Sequence, residues 1–409
     1  SMEETMTTTT PPTSVRFDLR SIPGLVPPSM VTPLDDLSPG GLPQVVLPTG
    51  HTAVHLTAYP DVQKILTDTS FIRSDTNVDD GPSFLPTVMP EEMLLNLDHP
   101  HHGRLKRFVA AAYSANPMAA FAPTVRRIVS AAADALTPAS SFDLMTDLLE
   151  PLTINVNATY LGVPDDDIPG FRHLSRQMQL AHDTDIPQLL EDFWELYHYL
   201  EDLIAGRRPL NDGLIKNLLA AREEATPPVT DGEYAALLLG SLVGGDQNVL
   251  SELSKIVFVA LSHHELWELM STNPDSIPAV TEELLRLLPL GRISTGPRIA
   301  SRDVAGAGGT VREGETVYAD AHAANRDPQV YPEPWIVDTS RTAKRHLQFG
   351  YGMHHCMGAA MARMEIHETL AVLTSTLPDL TLETPADGVQ WDTGVLVHRP
   401  LSLPVTTGK

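Results

Sequence analysis

Cys356 stands in the run Phe349-Gly350-Tyr351-Gly352-Met353-His354-His355-Cys356-Met357-Gly358, and it is the only cysteine of the chain. A lone thiol cannot close an internal disulfide, and one thiolate cannot by itself build a zinc or iron–sulfur site. Three readings remain: an inert buried residue, a nucleophile, or the single axial ligand of a haem iron. The surroundings favour the third. The glycines let the backbone pass close to a flat ligand. Phe349 offers an apolar wall beside the sulfur, and the run from Gly358 to Glu365 reads as a helix. Cys356 then lies at a helix N-terminus, where the macrodipole and free N–H groups stabilise a thiolate.

A second pattern lies in Leu237-Leu238-Leu239-Gly240-Ser241-Leu242-Val243-Gly244-Gly245. It is apolar almost all round, so it predicts a buried helix. Each of its glycines costs about 1 kcal/mol relative to alanine. A flat cofactor or a kinked groove would account for that cost. Close packing against another helix explains Gly240 well and the Gly244-Gly245 pair less well. Asp246, Gln247 and Asn248 follow. Gln247 and Asn248 cannot act as acids at neutral pH, although both can orient water. Asp246 points about 100° away from Gln247 on an ideal helix.

Two further clusters carry charge. Glu283 and Arg286 share a helix face at i, i+3, ahead of Pro289. His99, His101 and His102 could suggest a metal site, but adjacent histidines rarely converge on one ion without further spaced ligands.

The Cys356 stretch resembles the haem-binding loop of the cytochrome P-450 family, Phe-Gly-x-Gly-x-His-x-Cys-x-Gly, at every fixed position. The resemblance covers the chain from about Asp98 to the segment around Arg399 to Val405. It implies a mainly α protein with small β-sheets, the cytochrome P-450 fold, as a single large helical domain around a buried haem b. Cys356 is then the iron ligand, with Phe349 and Gly358 beside it. Glu283-Leu284-Leu285-Arg286 matches the family's Glu-x-x-Arg element, and Val337 to Arg341 resembles the segment supplying a second arginine. A buried Glu283–Arg286–Arg341 network bracing the haem loop is implied. Arg298 and His354 fall at propionate-binding positions. The stretch from Asp98 to Arg107 resembles another family segment, whose register brings His102 and Lys106 to the propionates. Lysine there replaces the usual arginine and cannot make a bidentate contact.

By the same register dioxygen binds beside Gly244, Gly245 and Asn248. The pocket is lined by Val243, Gly244, Ile293, Ser294, Gly296, Val395 and Leu396. The loop carrying Val88, Met89 and Leu95 is its roof. The family usually places an acid and a threonine where Gln247 and Asn248 stand, and that pair relays protons during dioxygen activation. Its loss is similar to relatives that tailor peptide-derived natural products. The expected chemistry is therefore oxidative carbon–carbon or carbon–nitrogen coupling on a bulky secondary metabolite, such as aryl coupling or dimerisation of tryptophan-containing diketopiperazines. Hydroxylation is the alternative, and a non-catalytic haem-binding or recruitment protein is an alternative of another class.

The elements that must position these residues are legible as periodicity. Helices are predicted over Asp61–Leu66, Leu105–Ala135, Leu144–Leu161, Ile186–Leu203 and Leu214–Arg222, and a long one from near Gly232-Glu233. His55 to Ala58 reads as a short strand, Asp75 to Pro90 as a loop, and Val311 to Tyr318 as a hairpin around Gly314. Residues 1–14 read as a disordered tail and 15–409 as the catalytic domain. Met2 reads as a native start behind an added Ser1.

The net charge of −24 at pH 7 argues against nucleic acid and against an anionic membrane surface. Neither a membrane-length apolar run nor a signal peptide is evident, so a soluble, cytoplasmic protein is expected. A monomer is the expected state. A chain with no flavin or iron–sulfur segment needs outside electrons, and ferredoxin with ferredoxin reductase is the expected donor. Arg104, Lys106, Arg107, Lys344 and Arg345 are a candidate basic docking patch.

Overall fold

The computed structural model describes residues 10, 12–85, 87–342 and 344–408. Most of the tail expected over residues 1–14 lies outside them. The chain is mostly helical. The first helices are α1 (Tyr59–Thr67), α2 (His101–Ala110), α3 (Ala115–Leu136) and α4 (Glu150–Leu161). Next come α5 (Ile168–Gln177), α6 (Ile186–Ile204), α7 (Leu214–Ala221), α8 (Asp231–Val243) and α9 (Val249–Ser262). The last are α10 (His264–Thr272), α11 (Ile277–Leu287), the short α12 (Ala321–Ala324) and α13 (Ala359–Thr376).

The strands are short. They are β1 (Arg16–Asp18), β2 (Thr32–Pro33), β3 (Gln44–Val46), β4 (Thr52–Leu56), β5 (Phe71–Ile72), β6 (Ser141–Asp143) and β7 (Arg298–Ala300). After them come β8 (Val304–Gly306), β9 (Gly309–Val311), β10 (Thr316–Ala319), β11 (Ile336–Asp338), β12 (Thr381–Leu382) and β13 (Pro404–Thr406). The largest sheet has the order β2-β3-β4-β10-β7-β5. The strand expected at His55–Ala58 is β4, which ends at Leu56 because the chain turns there into Pro60 and α1.

The expected hairpin from Val311 to Tyr318 does not form. Gly314 does turn the chain, at φ 84°. Yet β9 pairs with β8, while β10 pairs with β4 and β7. Alternation of side chains marks strands but carries no information about the partner.

The apolar faces of α3, α4, α8, α9, α11 and α13 meet in one large core. α8 starts where Thr230 and Glu233 cap each other: the Glu233 N–H donates to Thr230 Oγ1 (3.1 Å) and the Thr230 N–H to Glu233 Oε1 (3.0 Å). Between α8 and α9 the helix widens into a π-type turn over Gly244–Asn248. The widened turn falls on the glycine-rich stretch where a kink is expected. Its glycines divide the work differently from the expectation. A Cβ on Gly245 would lie 2.3 Å from Asn157 Oδ1 of α4, so close packing explains Gly245. Gly240 and Gly244 face nothing within 4 Å.

Candidate haem-thiolate site

The loop before α13 is held from three sides. The Cys356 N–H donates to the Phe349 carbonyl (2.8 Å) and the Gly350 N–H to the Leu347 carbonyl (2.9 Å). Gly350 and Gly352 adopt φ 74° and 72°, and a Cβ on Gly352 would strike the Leu66 carbonyl at 2.5 Å. The Lys106 ammonium donates to the carbonyls of Met353 (2.8 Å) and His355 (3.2 Å). Arg363 of α13 stacks over the Phe349 ring at 4.7 Å and is tied to Glu282, which also binds His346.

Cys356 is exposed as a residue although protein crowds around it. The helix N-terminus alone does not decide its protonation. Burial pushes the thiol up, while the Gly358 N–H, Lys106 and Arg363 pull it down, and burial wins. A cation at the sulfur would favour the expected thiolate.

Behind the loop, Glu283 Oε1 accepts from Arg286 Nη2 (2.7 Å), Arg341 Nε (3.0 Å) and the Asp338 N–H (3.1 Å). Arg286 also donates to the carbonyls of Asn325, Pro334 and Ile336. The Asn325 side chain passes the connection on by accepting the Leu347 N–H at 2.6 Å. Neither Asn325 nor Glu282 was singled out in the sequence. Glu282 stood beside the Glu-x-x-Arg element as its one available signal.

On the other side of the loop His102 and His354 meet edge to face, with ring centroids 4.5 Å apart. Burial, helped by the Lys106 charge, pushes His102 down to about 4. Burial and then the Arg298 charge push His354 down to about 2, so both rings are neutral at pH 7. Arg298 is buried and pulled to about 10, first by burial and then by Arg73. His102 Nδ1, His354 Nε2 and Arg298 Nε are buried without a hydrogen-bond partner. Polar atoms so placed call for a polar ligand.

The other residues fall as follows. Asp246 turns away from the groove: its carboxylate accepts from Thr153 (2.8 Å), Ser175 (2.9 Å) and Gln247 (3.0 Å). Gln247 is buried with it, and Asn248 is half-buried. Val243, Ile293, Ser294, Gly296 and Leu396 are half-buried and Val395 is buried. Val88 and Leu95 are exposed, while Met89 packs on the core. Within the expected basic patch, Arg104 donates to Glu233, which also binds His101. Two members are diverted to neighbours, Lys106 to the loop carbonyls and Arg104 to that glutamate. Arg107, Lys344 and Arg345 remain exposed. Among the described residues there is no group of three or more His, Cys, Asp or Glu side chains placed to hold a metal ion, and no helix is long and apolar enough to cross a membrane.

The Cytochrome P450 family profile matches residues 276–396, which include the Glu283 brace and the Cys356 loop. The nocardicin C N-oxygenase of Nocardia uniformis subsp. tsuyamanensis is 33% identical over 402 residues, covering 96% of this chain and 99% of the relative. The mycinamicin IV hydroxylase/epoxidase of Micromonospora griseorubida is 34% identical over 360 residues, 88% of this chain and 90% of its own. A solved cytochrome P450 described as having biaryl coupling reactivity superposes with a TM-score of 0.82 at 29% identity, covering 87% of this chain and 90% of that one. Likeness of this extent makes the protein a member of the cytochrome P450 family, a monooxygenase of secondary metabolism that carries haem b on a cysteine thiolate.

Proposed function

We propose that the protein catalyses oxidative coupling, joining two carbons or a carbon and a nitrogen of a bulky secondary metabolite without inserting oxygen. Aryl coupling or diketopiperazine dimerisation is the form this takes. The observation behind it is the side chain at position 247. Gln247 stands where the family's acid stands, and its amide is engaged on both sides, by Asp246 and by Arg399 (2.6 Å). With Asp246 bonded to Thr153 and Ser175 on the far side, the groove is left with the half-buried amide of Asn248.

The residues present fit the haem. Cys356 is the one cysteine available as ligand. The unpartnered Arg298 Nε, and His102 Nδ1 and His354 Nε2 in the tautomers that protonate them, are donors suited to propionates. When bound, thiolate-ligated haem supplies dioxygen activation. This chain's residues do the rest. Glu283, Arg286 and Arg341 hold the loop that presents Cys356. Gly244 leaves room above the groove. Gln247 keeps a neutral amide where a relay acid would stand, and Asn248 orients water. Val243, Ile293, Ser294, Gly296, Val395 and Leu396 shape the pocket, with Val88, Met89 and Leu95 at its mouth. Ferredoxin, reduced by its reductase, supplies electrons at a face carrying Arg107, Lys344 and Arg345.

In coupling, each of two substrate molecules gives up one hydrogen from an N–H or C–H bond, and a new bond joins them. Dioxygen takes these hydrogens together with two external electrons and two protons, forming two waters. The substrates supply hydrogens at the groove, so a fixed protein acid is dispensable. Hydroxylation is the second reading, favoured by the oxygen-inserting names of the two relatives.

The test is product mass from the reconstituted enzyme with a panel of tryptophan-containing cyclic dipeptides. A dimer lighter than two monomers by two hydrogens supports coupling. The double change Gln247→Asp and Asn248→Thr should leave the dimer unchanged or reduce it. A single product heavier by one oxygen, formed more efficiently by the double variant, leaves the hydroxylase reading.

A further inference from the structure

Arg73 was not among the residues singled out in the sequence, and its surroundings are unusual for an arginine. It follows β5, whose Ile72 pairs with Ile299 of β7. The strand ends there, because Arg73 turns into helical backbone at φ −88°, ψ −41°, yet its charge acts on Arg298 at the start of β7. Like charges close together disfavour each other's ionised form. A single carboxylate, Asp98, acts on both charges. Arg73 donates from Nε to the Leu95 carbonyl (3.0 Å) and from Nη1 to the Pro297 carbonyl. Its one carboxylate neighbour, Asp98, accepts instead from the backbone N–H groups of Arg73 (2.8 Å) and Ser74 (3.0 Å).

The site is shaped around the guanidinium. A Cβ on Gly296 would lie 2.5 Å from Arg73 Nη1, so the absence of a side chain at 296 is what lets the arginine through. Both guanidiniums are held down at about 10, mainly by burial. Arg73 also acts on His354, together with Arg298, His102 and Lys106. Meanwhile Lys106, the lysine that replaces the family's arginine, spends its ammonium on the carbonyls of Met353 and His355. The cluster thus sets two guanidiniums, Arg298 buried and Arg73 half-buried, against the one carboxylate of Asp98. Buried charge of one sign is tolerated only with a partner of the other.

We propose that Arg73 is a haem-propionate ligand, set beside Arg298 where β5 ends and filling the role that Lys106 leaves. The proposal rests on the haem-thiolate reading. Two propionates supply two negative charges, one for each guanidinium, and Arg73 would be desolvated against them with Gly296 at its back.

The experiment uses purified holoenzyme. Haem transfer to excess apomyoglobin is followed by absorbance for wild type, Arg73→Leu, Arg73→Lys and the exposed-arginine control Arg127→Leu. Arg73→Leu should lose haem about tenfold faster than wild type, the size of one lost charge-assisted contact. Its reduction potential should move to more negative values, because a cation near the iron is gone. Arg73→Lys keeps the charge and should stay near wild type in both. Should Arg73→Leu be isolated without haem, Arg73→Lys decides: a lysine variant equally empty overturns the charge role. Haem loss from Arg73→Leu indistinguishable from Arg127→Leu overturns the proposal, and a weakened substrate-induced spectral shift in that same variant would assign Arg73 to a substrate carboxylate. A wild type lacking the red-shifted carbon monoxide band would instead bring down the haem-thiolate reading itself.

Discussion

Arg399 Nη1 donates to Gln247 Oε1 at 2.6 Å, tying the C-terminal segment to the widened turn of the central helix. The same arginine lies 3.7 Å from Asp392, which Arg176 of α5 also holds at 2.8 Å. Gln247 passes the connection on to Asp246, and Asp246 to Thr153 of α4. The position where the family places a relay acid is therefore part of a buried structural network joining four distant stretches of chain.

Gln247→Ala should leave the Arg399 guanidinium without that acceptor, and the cost should be about 1–3 kcal/mol. Gln247→Glu should cost more, because it sets a second carboxylate against Asp246 and removes the donor that Asp246 accepts from. Urea unfolding of the purified holoenzyme reads both changes. Equal stability of the alanine variant and wild type would show that the Arg399 contact carries no net energy.

Cys356→Ser should abolish the red-shifted carbon monoxide band of the reduced protein, since that band reports thiolate ligation. Helicity should persist, because the cysteine contributes little to the core. A serine variant that keeps the band would refute ligation by Cys356.

Glu283→Ala should destabilise the fold by roughly 3–5 kcal/mol, because it leaves the buried Arg286 and the neighbouring Arg341 unpaired. Haem content should fall with it, through the Arg286–Asn325–Leu347 connection to the loop. Haem absorbance per chain and thermal unfolding check the two effects together. Full haem occupancy with a lowered melting temperature would separate the brace from the loop.

Glu365 of α13 has both carboxylate oxygens buried and unpartnered. Burial, then the neighbouring Asp246 charge, holds its pKa well above the ordinary 4.5. The folded chain thus keeps a proton that the unfolded chain releases above pH 4.5. Stability from this group is fully present below 4.5 and is lost as pH rises through the folded value. Glu365→Gln cannot ionise in either state. Its melting temperature relative to wild type should be level below pH 4.5 and should climb as the pH is raised to neutrality. A difference that stays constant with pH would mean that Glu365 is not held protonated.

The Cys356 loop was readable because its chemistry is local. Glycines at positive φ, the one cysteine and the helix that follows all lie within a short run, so residue types alone specify it. The helices were readable for the same reason, since 3.6-residue periodicity is a property of one segment. The Glu283 element was visible as a spacing, yet its route to the loop through Asn325 was not. β9 and β10 were visible as alternation, while their separate partners were not, because pairing is decided by chain stretches far away. Only the tertiary structure brought Arg73 near Arg298, turned Lys106 onto the loop carbonyls, pressed Asn157 against Gly245 and brought Arg399 to Gln247. Each is a contact between residues distant in sequence. Charge and hydrogen-bond partners there are set by which surfaces the core brings together, and no local pattern of residues encodes that.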